Sequence, residues 1–108
     1  HMSNQRKLLE SIPTTELTDV THIDVEVYYT KGGANYFSGG ATRRGYYLSV
    51  KPVKRDGITV SYNLFSRASK LLLEANRFSV KQFDKAVELG RDSAPELVKH
   101  VIKQEKAA

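Results

Sequence analysis

Few side chains in this chain are typed and spaced for chemistry. Asp24 and Glu26 lie two residues apart in the alternating segment HIDVEVYYT. As a strand, that segment puts both carboxylates on one face about 7 Å apart, a separation suited to paired-carboxylate catalysis. Nothing around them marks a cleft, however, and Lys31 and Lys51 stand as their expected cross-strand partners. Lys31-Gly32-Gly33 with Asn35 suggests a phosphate loop. It lacks the spacing of a Walker loop or of GxGxxG, and it leads into a strand and not a helix. A tight turn accounts for those glycines by itself. His22 and His100 are isolated, and His1-Met2 reads as a cloning scar. No second histidine or carboxylate cluster supports a metal centre. With no cysteine in the chain, disulfides, thiol catalysis and cysteine-held metals are excluded. The expectation is a protein that is not an enzyme, with no cofactor and no metal.

Aromatic and basic residues make a stronger pattern. All six tyrosines lie between His22 and Phe65. Within that stretch Ile23, Val25, Val27 and Tyr29 alternate with His22, Asp24, Glu26, Tyr28 and Thr30, the period-2 signature of a strand with one core face. Tyr46, Leu48 and Val50 alternate in the same way with Tyr47, Ser49 and Lys51. One sheet face should therefore be apolar. The other would carry Tyr28, Tyr47 and Lys51, bordered by Arg43, Arg44, Lys54 and Arg55. Rings among cations suit single-stranded nucleic acid, whose bases stack while its phosphates meet Lys and Arg.

The elements that would hold this face follow in order. Leu8, Leu9 and Ile12 suggest a helical turn opened by Asn4 and ended by Pro13, followed by the polar linker TTELTDVT. Residues 1–21 are thus expected as a flexible arm and 22–108 as one α+β domain. Strands are expected at 22–30, 34–38, 45–53 and 58–64, with Arg55-Asp56-Gly57 as a hairpin turn. They would form a four-stranded antiparallel curled sheet. Helices then follow, packed on one face. Ser66 and the stripe Ala68, Leu71, Leu72, Ala75 mark the first. Ser79 and Gln82 form a capping box with a Phe78–Phe83 staple and open the second. Gly90 and Pro95 interrupt that helix, but its apolar phase carries through to Val101, which favours one kinked helix over two. A helix that long would overhang the sheet, leaving Leu97, Val101 and Ile102 to pair with a second copy.

Charge sets the remaining bounds. The net charge is +5, and by segment it is −1 over residues 1–21, +3 over 22–65 and +3 over 66–108. The basicity belongs to the body of the chain and suits a polyanionic partner. No apolar run is long enough to span a bilayer and no signal peptide opens the chain, so no membrane and a cytoplasmic location are expected.

Two resemblances add to this. The string Tyr29-Thr30-Lys31-Gly32-Gly33, then Asn35-Tyr36-Phe37, then Arg44-Gly45-Tyr46-Tyr47-Leu48 resembles small uncharacterised proteins of bacterial mobile elements and phages. The likeness covers most of residues 22–90 and implies a setting, not an activity. Four strands followed by a helix, with a basic and aromatic free face, are similar in architecture to the transcriptional-coactivator and Pur-repeat family. That likeness implies binding of single-stranded DNA and dimerisation. The expected function is a non-enzymatic module binding single-stranded DNA or RNA, acting as a homodimer. The alternative is a protein-binding inhibitor of a host defence nuclease, of the anti-restriction or anti-CRISPR type.

Overall fold

Eight elements build the computed structural model, which describes residues 6–34, 41–57, 62–63 and 77–107. They are β1 (Arg6–Pro13), β2 (Val20–Thr30), β3 (Gly33–Ala34), β4 (Ala41–Thr42), β5 (Gly45–Lys54), β6 (Tyr62–Asn63), β7 (Arg77–Phe78) and α1 (Phe83–Ala107). The architecture is α+β: an open antiparallel sheet of three long strands with one C-terminal helix on one face. β2 is central, flanked by β1 and β5. Along the far edge of β5 run two short pairings, Ser49 and Val50 with β6 and Tyr46 and Tyr47 with β7.

Alternation in β2 and β5 does what it predicts. Their register sets Ile23 opposite Pro52, Val25 opposite Val50 and Val27 opposite Leu48. These side chains are buried on the face that α1 covers with Ala86, Ala94, Leu97 and Val101. Each fully buried aliphatic side chain there contributes about 1.5–3 kcal/mol. Gly90 is the point of closest approach. A Cβ on it would lie 2.9 Å from Leu48 Cδ2 and closer still to Leu9 Cδ1, so helix and sheet meet there through bare backbone.

The helix course follows the sequence signals, and its start comes one turn later than Ser79 announces. Gln82 Oε1 accepts from the Ser79 N–H at 3.0 Å, which is half of the expected capping box. The Gln82 N–H donates to the Ser79 carbonyl at 2.9 Å, so a turn precedes the helix, which begins at Phe83. Pro95 lies inside α1, and one helix runs through it. Its missing N–H deprives the Arg91 carbonyl of its helical partner, at an exposed position.

Three expectations change. Residues 6–13 are no helical turn on a flexible arm but the strand β1, paired with β2 from Arg6↔Tyr28 to Pro13↔His22. A bulge between Leu8 and Glu10 lets Leu9 and Ile12, three residues apart, both turn toward the core. The second expected strand is described only at Gly33–Ala34, which pairs with Ala41–Thr42 in a separate ribbon, so β2 meets β5 directly. Of the fourth, only Tyr62–Asn63 is described; the rest of it, and the helix expected from Ser66, lie outside the described residues. The turn at Arg55-Asp56-Gly57 is present. Gly57 takes φ +83° and its N–H donates to the Lys54 carbonyl at 3.0 Å.

Candidate nucleic-acid interface

The register of β2 and β5 brings four tyrosines to one end of the sheet. Tyr28 faces Tyr47 and Tyr29 faces Tyr46. Partners across a ladder share a face, so one pair lies on each side. Away from the helix, Tyr28 and Tyr47 have ring centroids 5.8 Å apart at 30°. On the helix side, Tyr29 and Tyr46 meet at 5.5 Å and 61°, and Tyr46 meets Phe83 of α1 at 5.0 Å and 61°. Edge-to-face contacts of this kind add about 0.5–1.5 kcal/mol each beyond burial.

Polar groups hold these rings. The Tyr47 hydroxyl donates to the Arg43 carbonyl, and Arg44 Nε donates to the Tyr29 hydroxyl at 2.9 Å. The Arg6 guanidinium lies 4.9 Å from the Tyr28 ring centroid and 3.1 Å from Glu26 Oε1. Lys51 Nζ reaches the same oxygen at 3.7 Å. The buried Glu26 carboxylate is thus shared by two cations, the condition on which a buried charge is tolerated. Burial pushes the Tyr28 phenol above its ordinary value, Arg6 pulls it back, and nearby Tyr47 adds to the rise.

The seven residues expected to bind nucleic acid do not form one site. Tyr28, Tyr47, Arg43 and Arg44 gather at the tyrosine end. Lys51 sits mid-strand, engaged with Glu26. Lys54 and Arg55 lie at the opposite end of β5, about 23–26 Å from Tyr47 at strand rise. There Lys54 meets Asp19 at 3.2 Å and Glu105 at 3.7 Å, and the hydrogen bond that Lys54 donates to Asp19 is the largest cause holding its ammonium pKa above the ordinary value. Arg55 Nε donates to the Thr18 carbonyl at 3.1 Å.

The expected stacking face is corrected as well. Tyr47 does point away from the helix but is only 2% exposed, so it is a core ring and no platform for a base. Tyr28 is half-buried, with Arg6 against its face. The dimer stripe is likewise covered by the chain itself. Leu97 and Val101 are each 1% exposed and Ile102 packs against the same core. The 25 residues of α1 extend about 37 Å, and the 11 residues of β2 about 36 Å. The helix has no overhang. The loop between β1 and β2 closes that end, with Leu17 buried and Glu16 3.0 Å from Lys106.

What the tyrosine end has instead is exposed charge, of which sequence reasoning had assigned only Arg43 to binding. Lys7, Lys31, Arg43 and Lys81 are exposed and enter no ion pair among the described residues. Lys31, expected to pair with a strand carboxylate, makes no such pair there. Lys7 stands opposite Val27, an outward charge on the edge strand's core-facing side. Between the starts of β1 and α1 lies a cleft of about 220 Å³ lined by Arg6, Lys7, Val27, Tyr46 and Phe83. Only the strand assignment of β1 could have pointed to Lys7, and the doublet Leu8-Leu9 hid it.

Among the described residues no three His, Asp or Glu side chains converge as a metal site would require. No helix among them is long and apolar enough to cross a membrane. No family model matches the chain, and no curated protein or solved structure matches it.

Proposed function

We propose that the protein is a non-enzymatic module that binds single-stranded nucleic acid at the tyrosine end of its sheet. One observation carries this reading. Four exposed cations without ion pairs among the described residues, Lys7, Lys31, Arg43 and Lys81, stand at this end, with Lys7 lining one cleft with the Tyr46 and Phe83 rings, and at the opposite end Lys54 and Lys106 are matched by carboxylates. Unmatched cations give up condensed counterions to a phosphate backbone, and rings beside them take bases of any sequence. The resemblance of the Tyr29–Gly33 and Arg44–Leu48 strings supports a mobile-element or phage setting. Strand addition by a protein partner, the route open to a nuclease inhibitor, is disfavoured by the edge itself. β1 carries a bulge, ends in Pro13 and presents Lys7, three devices that blunt an edge.

Anisotropy of a labelled single-stranded oligonucleotide tests the reading. With four phosphate contacts, affinity should fall about 50-fold between 50 and 200 mM salt, at a slope of ~0.7 per contact. An absence of binding at the lower salt overturns the proposal.

A further inference from the structure

We infer that the cleft between the starts of β1 and α1 seats one unpaired nucleotide, its base against Tyr46 and Phe83 and its phosphate at Lys7. This deepens the proposed function and rests on it.

The cleft has two chemically distinct sides. The Tyr46 and Phe83 rings meet at 61° with centroids 5.0 Å apart. That makes a corner and not a slot, so a base lies on one ring and abuts the edge of the other. Val27 adds an apolar wall. Lys7 supplies the cation. Its neighbour Arg6 lines the cleft too, but Glu26 and Tyr28 draw the Arg6 guanidinium to the other face. Lys7 stands opposite Val27 on the helix side, exposed and outside every ion pair among the described residues.

The occupant follows from size and chemistry. At about 220 Å³ the cleft is smaller than the ~300–1,000 Å³ of pockets for drug-sized ligands, and it suits one ring system with one anionic group. A purely apolar ligand would leave Lys7 unused. A bare phosphate would leave the rings unused. A nucleotide uses both.

Amide NMR shifts on titration with adenosine monophosphate, adenosine and inorganic phosphate provide the test, alongside oligonucleotide anisotropy. The monophosphate should saturably shift the amides of Lys7, Val27, Tyr46 and Phe83, with adenosine and phosphate each binding at least about tenfold more weakly. Phe83→Leu and Lys7→Gln should stay folded and each weaken both monophosphate and oligonucleotide about 5- to 30-fold. Loss of oligonucleotide affinity in these variants with normal amide dispersion supports the seat. If the oligonucleotide binds wild type and both variants within twofold and the monophosphate leaves those amides unmoved, the seat is overturned and the wider reading stands. If the monophosphate saturates those amides but no oligonucleotide binds at low salt, the seat is supported and the single-strand reading falls.

Discussion

The two ends of the β2–β5 ladder are built from similar residues and behave differently. At one end Tyr28, Tyr29, Tyr46 and Tyr47 meet in register, and Lys31 and Arg43 stand exposed without carboxylate partners among the described residues. At the other, Lys54 is held by Asp19 and Glu105, Lys106 by Glu16, and Arg55 by the Thr18 carbonyl. The difference teaches that a net charge of +5 is not a property of the whole surface. At the tyrosine end Lys7, Lys31 and Arg43 stay outside the ion pairs among the described residues, and at the other end Lys54, Arg55 and Lys106 tie the loop between β1 and β2 to the rest of the fold.

The largest expected effect lies between the ends, at the helix–sheet contact on which both depend. Gly90→Val drives a branched side chain into Leu48 Cδ2 and Leu9 Cδ1. It should cost about 3 kcal/mol, the upper range for overpacking, read as a lower urea midpoint with an unchanged slope. If stability holds, the close approach at Gly90 does not join the two ends.

Charge reversal then separates the ends directly. Lys31→Glu with Arg43→Glu should weaken oligonucleotide binding about 30-fold, from roughly 2 kcal/mol of lost charged contacts. Lys99→Glu with Lys103→Glu, exposed positions toward the C-terminal end of α1, makes the same change in net charge. That pair should weaken binding only a few-fold, through the general field. Equal losses in the two variants would erase the distinction.

A smaller effect should run in opposite directions for stability and binding. Glu26 anchors Arg6 and Lys51. Glu26→Gln keeps the shape but removes the charge, and should cost about 1–2 kcal/mol in a urea melt, because Arg6 is half exposed and its pairing is screened. The released Arg6 should raise low-salt oligonucleotide affinity about threefold. A parallel loss of both would mean that Glu26 supports the site itself.

The smallest effects are alkaline, and they distinguish the ends by cause. Tyr28 is raised above its ordinary 10.0, chiefly by burial, and Lys54 above 10.5, chiefly by the Asp19 hydrogen bond. In both cases the folded state favours the protonated form. Each contribution is therefore complete below the unfolded value and is lost as pH rises through the folded one. Arg6→Ala removes the charge that lowers Tyr28, so the Tyr28 phenolate absorbance step should move to higher pH. Asp19→Asn should leave that step in place and reduce only the stability lost above about pH 10.5.

Much of the fold was legible because local rules and packing agreed. Alternation assigned the faces of β2 and β5 correctly down to single residues, since burying one face of a pleated strand leaves no other register. Ser79 and Gln82 announced the helix, and an unbroken apolar phase from Phe83 to Val101 carried it through Pro95. β1 was hidden for a specific reason. A bulge puts Leu9 and Ile12 on one face three residues apart, a spacing that imitates a helix. The candidate site was legible in type but not in place. Tyrosines and cations were visible, but alternation gives only a direction and says nothing about what covers a face.

By itself, then, the sequence determined which residues turn inward along β2 and β5, that one helix runs through Pro95, and that the chain is basic. These depend on neighbours within a few positions and on the 2.0 and 3.6 periods. Only the tertiary structure decided that Tyr47 is core, that Leu97 and Val101 are covered by the chain's own sheet, and that Lys7 stands beside Tyr46 and Phe83. Each of those outcomes depends on which distant segment packs against which, and a contact between residues far apart in the chain leaves no mark in the local pattern of either.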